Sequence, residues 1–179
     1  MFKSLVFAVC ILFIYSSNAS AQKNEVSLII GGGQLWSDSG RVPASAFSIG
    51  YTRSIVGGLA AEGSIDIFFV RNGSLAKDDF TAAQAAVVYH FRPVTESGAL
   101  VPYVSAGIGK VTTDFTEIPA DRVVKLGGGI KYYFSERHKY GLRLELRHEI
   151  TTGNSLGYYP VSGSRLQHTS LRAGITCRF

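Results

Sequence analysis

Cysteine is nearly absent from this 179-residue chain, which contains only Cys10 and Cys177. Cys10 falls in an N-terminal stretch that we expect to be removed, so the mature chain would keep a single cysteine. An intramolecular disulfide is therefore excluded, and stability must come from packing, hydrogen bonds and ion pairs. The net charge of +5 is spread along the chain without a basic run, so nucleic acid is not an expected partner.

Long hydrophobic runs are also missing. The longest extends from Leu5 to Tyr15, whereas a membrane-spanning helix needs roughly 20 apolar residues. Lys3 precedes this run, and the small residues of 19–21 follow it with an Ala-Ser-Ala cleavage pattern. We therefore predict a signal peptide over residues 1–21 and one mature domain over 22–179, with an uncleaved N-terminal anchor as the alternative.

The mature sequence lacks helical periodicity and is instead rich in glycine, tyrosine and phenylalanine, with apolar residues at every second position. This pattern predicts an all-β domain. Most segments between turn-forming clusters have nine to thirteen residues, which suits a tilted strand that crosses a bilayer better than a globular strand. We predict eight strands, near 25–36, 45–53, 58–70, 80–92, 101–110, 122–134, 141–150 and 169–179.

The connections between these segments alternate in length. Those at 54–57 and 135–140 are short, while 37–44, 71–79, 111–121 and 151–168 are polar and mostly long, and 93–100 is an exception to the alternation. Such asymmetry is typical of outer-membrane barrels, in which short turns face the periplasm and long loops face outward. The predicted fold is an eight-stranded antiparallel up-and-down transmembrane β-barrel.

The segment from Gly141 to Ile150 separates two chemically opposite faces, with leucines on one side and arginine or glutamate on the other. The last strand follows the same rule. In a membrane barrel the charged face lies inside, where an eight-stranded lumen is just wide enough to be filled by side chains. We expect a paired charge network there, made by Glu62, Asp66, Lys125, Lys131, Arg143, Glu145, Arg147, Glu149, Arg172 and Arg178.

Alternation alone does not say which face is inside, and a soluble exported β-barrel binding protein has the reverse arrangement. The aromatic residues favour the membrane barrel, because they gather at strand ends as interfacial girdles do. The expected girdle residues are Trp36, Tyr51, Tyr89, Phe91, Tyr132, Phe134 and Phe179, with Phe68 or Phe69 and Phe80 at the outer rim.

Two other kinds of site are not expected. The glycine-rich stretches 31–33, 107–109 and 127–129 lie within strands and lack the spaced lysine of a phosphate-binding loop, so we assign them to bends and close approaches. The histidines at 90, 138, 148 and 168 are scattered and show no metal-ligand spacing. We predict neither a metal nor a cofactor.

The segments Val101–Gly109, Lys125–Phe134 and Gly141–Arg147 resemble the outer-membrane β-barrel domain family, which includes the OmpA transmembrane domain and OmpX. The tail 172–179 is similar to the C-terminal assembly signal of such barrels, carried here by Gly174, Cys177 and Phe179, although the family prefers an aromatic residue at the position of Cys177. The resemblance implies a location in the outer membrane of a Gram-negative bacterium, with membrane lipid and the barrel assembly machinery as partners. We expect a monomer.

Several functions remain open for such a barrel. The first is a non-enzymatic structural or surface-interaction role, with an extracellular ligand or surface bound by the loops 151–168 and 112–121. A narrow ion path through exchanging charge pairs is the second. The third is a lipid A-modifying enzyme, suggested by His148 at an outer strand end; however, the serine that those enzymes carry two residues later is replaced by Ile150.

Overall fold

A computed structural model describes residues 24–37, 40–71, 77–92, 100–113, 121–134, 139–152 and 165–179. The predicted signal peptide, 1–21, lies outside them. Eight antiparallel strands form a closed barrel in which β1 also pairs with β8, so the predicted fold class is confirmed. The strands are β1 (Asn24–Ser37), β2 (Gly40–Val56), β3 (Leu59–Arg71), β4 (Lys77–His90), β5 (Leu100–Thr113), β6 (Asp121–Tyr133), β7 (Tyr140–Thr152) and β8 (Arg165–Arg178). No helix in this part of the chain is long and apolar enough to cross a membrane.

Several strands extend further toward the long-loop end than predicted. β2 begins at Gly40, which pairs with Ser37, so the predicted long connection 37–44 is wrong and only 38–39 separate the two strands. The sequence was misleading because Arg41 and Pro43 are polar or turn-forming residues, yet they alternate with Val42 and continue the strand. In the same way β8 starts at Arg165, so its first residues are not part of the predicted loop 151–168.

The turn between β2 and β3 consists of Gly57 and Gly58, close to the predicted short connection 54–57. Their φ angles are 55° and 90°, in the left-handed region that glycine tolerates and that a two-residue hairpin turn requires. A Cβ atom on Gly58 would also lie 2.5 Å from the carbonyl oxygen of His90. The pair of glycines is therefore needed both for the turn and for its contact with β4.

The register of the strands fixes the shape of the barrel. The cross-strand partners of Leu100 can be followed round the barrel through Tyr132, Leu142, Ile175, Leu28, Ile49, Ile65 and Ala83 to Lys110. Lys110 lies ten residues beyond Leu100 on the same strand. With eight strands, this stagger corresponds to a tilt of roughly 40° from the barrel axis, within the range of transmembrane barrels.

Side chains alternate between the lumen and the exterior along each strand. On β7 the leucines at 142, 144 and 146 are 44–59% exposed, whereas Arg143, Glu145 and Arg147 are 1% exposed or less. Among the described side chains, the middle of the barrel exterior is a band rich in Leu, Ile, Val and Ala, because the charged face of the strands points inward. This confirms the expected orientation and excludes the soluble alternative, whose apolar face would be inside.

Aromatic residues flank this band. Exposed fractions of 36–59% are found for Trp36, Tyr89, Phe91, Tyr132, Phe134 and Phe179, while Tyr51 is partly covered and donates a hydrogen bond to Asn24 Oδ1 at 2.9 Å. At the outer rim Phe69 faces outward, but the expectation for Phe80 was wrong. Its ring stacks inside the barrel on that of Phe68, with centroids 4.5 Å apart, because both belong to the inward row of their strands.

Candidate functional site: a neutral ion-pair network in the lumen

Among the side chains that the structure describes, ten charged ones are buried inside the barrel, and their charges balance. The acidic ones are Glu25, Glu62, Asp66, Glu145 and Glu149, and the basic ones are Lys125, Lys131, Arg143, Arg147 and Arg172; each is at most 5% exposed. Every one of them takes part in at least one ion pair. Such neutrality matters because an unpaired charge in this position would lose its hydration without compensation.

The periplasmic end of the network is built on Glu25 of β1. Its carboxylate accepts a hydrogen bond from Lys131 Nζ at 2.6 Å and another from the hydroxyl of Tyr133 at 2.5 Å. Lys131 and Tyr133 are two residues apart on β6, so both point inward from one strand. The ammonium of Lys131 also lies 5.4 Å from the ring centroid of Tyr103, within the range of a cation–π contact.

In the middle of the barrel Arg143 joins two carboxylates. Its Nη1 lies 2.7 Å from Glu62 Oε2, and its Nη2 lies 2.7 Å from Glu145 Oε2. Lys125 supplies a second cation to Glu62 at 3.1 Å. The hydroxyl of Tyr103 accepts from Arg143 Nε and donates to Glu145. The guanidinium is therefore held on several sides and cannot leave one partner without disturbing the others.

The next layer toward the outside is centred on Asp66 and Glu149. Asp66 accepts from Arg147 Nη1 at 2.8 Å and from Arg172 Nη1 at 2.6 Å, in addition to two serine hydroxyls. Arg172 continues to Glu149 through Nη2 at 2.7 Å. Glu149 also accepts from Gln84 at 2.7 Å and lies 3.1 Å from His168 Nδ1. Arg172 thus bridges two carboxylates that come from β3 and β7.

Above the charges the lumen is filled by apolar side chains. One cluster contains Phe68, Ala46, Ala82, Val111 and Val123, and a second contains Leu35, Ala44, Val70 and Leu166. We call these residues the apolar plug. The apolar plug lies above a network in which each buried charge has an ion-pair partner, so ions would need a rearrangement of buried pairs to pass through it. Breaking such a pair costs about 3–5 kcal/mol where burial is complete.

Glycines in the inward rows make space for this filling. A Cβ atom on Gly127 would lie 2.9 Å from Glu145 Oε1 and 2.8 Å from Ser105 Oγ. On Gly129 it would lie 2.1 Å from the carbonyl oxygen of Leu144 on the neighbouring strand. Gly127 and Gly129 thus serve close approach, as their position within a strand suggests.

The structure brings together nine of the ten side chains that the sequence placed in the lumen. Arg178 lies at the periplasmic end instead, half-buried, with its guanidinium carbon 5.4 Å from the ring centroid of Tyr133. Sequence reasoning missed Glu25, although its parity with Ser27 and Ile29 would have put it on the inward face. The neighbouring inward positions of β1 are uncharged, so no ionic stripe marked that strand.

The four histidines lie in different places. His90 is inside at the periplasmic end, where Nδ1 lies 3.2 Å from the carbonyl oxygen of Gly58. His168, expected in a loop, is buried in the lumen against Glu149 because β8 begins earlier than predicted. His138 lies outside the described residues. Within the described ranges, no group of three His, Cys, Asp or Glu side chains is arranged to hold a metal ion.

Of the three histidines that the structure describes, only His148 faces outward, at the upper edge of the apolar band. Its Nδ1 lies 2.7 Å from Thr169 Oγ1, the residue directly opposite on β8. No carboxylate among the described side chains contacts its ring, since Glu149 points into the lumen. Thr151, the first hydroxyl residue after His148 on β7, belongs to the inward row of that strand and is not the partner of His148.

Comparison with known proteins gives structural relatives only. No protein-family model and no curated protein matches the chain. Among solved structures, it is similar to Neisserial surface protein A, with a TM-score of 0.71 at 14% identity over 90% of this chain and 100% of that one. For the attachment invasion locus protein Ail of Yersinia pestis, the TM-score is 0.52 at 14% sequence identity, over 89% of this chain and 100% of that one. For the outer membrane enzyme PagL, the TM-score is 0.53 at 14% sequence identity, over 84% of this chain and 97% of that one.

The fold is that of the small outer-membrane β-barrels. The apolar exterior, the flanking aromatic residues and the ionic interior agree with this class, because a lipid-facing surface must be apolar while a barrel satisfies its backbone hydrogen bonds between strands. The protein is an outer-membrane barrel that resembles the OmpA and OmpX type.

Proposed function

We propose that this protein is a non-enzymatic membrane scaffold whose closed barrel holds its extracellular loops for contact with a ligand or another surface. The observation that carries the proposal is the lumen, in which a neutral network and the apolar plug fill the space that a pore would need. A rigid barrel of this kind is well suited to display loops, since binding residues are often carried by loops on a fixed framework.

The parts of the connections 151–168 and 112–121 that carry Tyr158, Tyr159, Pro160 and Phe115 lie outside the described residues. Their ends are nevertheless fixed, because Thr152 pairs with Arg165 and returns the chain to the barrel at one point. A small barrel of the same fold, Ail, is described as an attachment invasion locus protein. This is compatible with a surface-interaction role for the chain.

A loop deletion tests the proposal. Removing residues 155–163, which end before β8 begins at Arg165, should leave a barrel that is folded and heat-modifiable in gel electrophoresis, while adhesion of cells that display the protein to host or abiotic surfaces falls to the level of cells without it. The matched control is a replacement of the same segment by a Gly/Ser linker of equal length, which should behave like the deletion. Unchanged adhesion by both variants would contradict a binding role for this loop.

A narrow ion path is the second candidate, favoured by the fact that Arg143 and Arg172 each hold two carboxylates and could exchange between them. Planar-bilayer recordings decide between a plug and a path. Our proposal expects no conductance from the folded protein, whereas single-channel steps that disappear in an Arg143→Met variant would establish the path.

Lipid hydrolysis is the third candidate, because His148 and Thr169 form a hydrogen-bonded pair on the lipid-facing side. A serine- or threonine-type nucleophile normally needs a base that a third group orients, and no described carboxylate does so here. Mass spectrometry of lipid A from cells with and without the protein should show the same acylation. Loss of an acyl chain that requires Thr169 would replace our proposal.

We further propose that residues 1–21 are removed on export. The mature protein should then start at Gln22, which intact mass measurement of the outer-membrane form would reveal. A mass that includes residues 1–21 would support the anchored alternative.

A further inference from the structure

Two cations face each other on the outside of the barrel, at the edge of the apolar band. Lys110 of β5 and Arg122 of β6 are direct cross-strand partners, and both side chains are exposed. Like charges in directly opposite positions of an antiparallel pair destabilise it. The pair therefore needs a compensating anion more than an isolated surface cation does.

None of the carboxylates whose side chains the structure describes faces this pair. The carboxylate side chains that the structure describes are Glu25, Glu62, Asp66, Glu145 and Glu149, and all of them are committed to the lumen network. Neither Lys110 nor Arg122 can reach them, because the β-sheet wall lies between. The compensating anion is therefore not one of the described side chains.

The position of the pair along the barrel axis indicates what the compensating anion is. The next outward pair below it is Ile108 with Val124, which are 69% and 44% exposed and belong to the lipid-facing band. The pair lies at the end of the barrel opposite the chain termini, where Asn24 and Phe179 are joined by two backbone hydrogen bonds. Lys110 and Arg122 thus stand where the acyl chains of the outer leaflet end and the headgroups begin.

We propose that Lys110 and Arg122 bind the phosphate monoester of an outer-leaflet lipid headgroup. A phosphomonoester carries nearly two negative charges at neutral pH, which matches two cations. The planar guanidinium of Arg122 can hold two phosphate oxygens, and the ammonium of Lys110 supplies a point charge to a third. The lipid chains then lie on Ile108 and Val124.

Spin-label electron resonance with the whole protein in phosphatidylcholine bilayers tests this site. Spin-labelled phosphatidic acid, a phosphomonoester, is compared with spin-labelled phosphatidylglycerol, a phosphodiester, and with phosphatidylcholine. Wild type should immobilise phosphatidic acid preferentially. Lys110→Gln and Arg122→Gln should each lower this preference by a factor of roughly five, because each cation near an anionic surface contributes about 1 kcal/mol to binding. A wild-type preference smaller than this factor should disappear completely.

Arg41→Gln is the matched control, because Arg41 is an exposed cation on the same rim whose cross-strand partner is Trp36 rather than another cation. It should keep the wild-type preference, and all variants should remain heat-modifiable. An equal loss in Arg41→Gln, or full preference in the Lys110→Gln/Arg122→Gln double variant, would overturn the site. Equal binding of phosphatidylglycerol would overturn its selectivity for a monoester. Complete competition by millimolar inorganic phosphate at constant ionic strength would show a site for free phosphate instead of a lipid.

Discussion

Replacement of Arg172 by methionine tests the lumen network at the residue that joins its two outermost carboxylates. The guanidinium is fully buried, lies 2.6 Å from Asp66 Oδ1 and 2.7 Å from Glu149 Oε2, and donates to Ser170 at 2.8 Å and Ser48 at 2.9 Å. Methionine has a similar length but no charge. The variant keeps most of the packing and leaves one excess negative charge in the lumen.

The expected loss follows from the partners that remain. Asp66 keeps Arg147 at 2.8 Å, and Glu149 keeps Gln84 at 2.7 Å, so neither carboxylate is left without a hydrogen bond. Breaking a buried pair costs about 3–5 kcal/mol when one charge is stranded. Because compensation is partial, we expect the free energy of unfolding of Arg172→Met to fall by about 3 kcal/mol, the lower end of that range.

A second substitution separates charge from packing. Glu149→Gln in the Arg172→Met background restores neutrality, with one cation and one anion removed together. The double variant should be more stable than the sum of the two single losses predicts, with a coupling of about 1–2 kcal/mol. Arg41→Met, an exposed arginine on the outer face, is the control and should change stability by less than about 0.5 kcal/mol.

Urea titration in lipid vesicles measures these differences. The chain has a single tryptophan, Trp36, on the outer face, so its fluorescence reports the loss of the lipid-inserted state, and gel mobility gives an independent reading. The dependence of the unfolding free energy on urea should stay the same in all variants. A loss below 0.5 kcal/mol for Arg172→Met, or strict additivity in the double variant, would refute the view that the network is coupled through charge.

Three further predictions concern the wall of the barrel. A Cβ atom on Gly33 would lie 1.9 Å from the carbonyl oxygen of Thr169, so Gly33→Ala should prevent or strongly impair folding in a refolding gel assay. Gly63→Ala is the control and should fold normally, because a Cβ atom there would have nothing within 4 Å. Equal folding of the two variants would contradict the close-approach argument. Leu144→Arg places a charge within the lipid-facing band and should lower stability by about 2–4 kcal/mol in urea titration, and a neutral result would mean that this face is not in lipid. Phe179→Ala should slow insertion by the assembly machinery more than it lowers equilibrium stability, and the reverse order would remove Phe179 from the assembly signal.

The sequence by itself determined the number of strands and the two faces of each. A strict period of two on β7 and β8 places Leu144 outside and Arg143 inside whatever the neighbours are, because successive side chains of a strand point to opposite faces. The girdle aromatics then distinguish inside from outside. The strand ends were less predictable, since the strands continue beyond the bilayer with polar residues such as Arg41 that read as loop.

Only the tertiary structure decided which charges meet. Arg172 and Asp66 are 106 residues apart, and the lumen contact between them depends on the closure of the barrel and on its ten-residue stagger. A shift of the pairing by two residues would keep every face the same and change every partner. The same reason explains why Lys110 and Arg122 were not recognised as a pair: periodicity fixes the face of a side chain, whereas register fixes its neighbours.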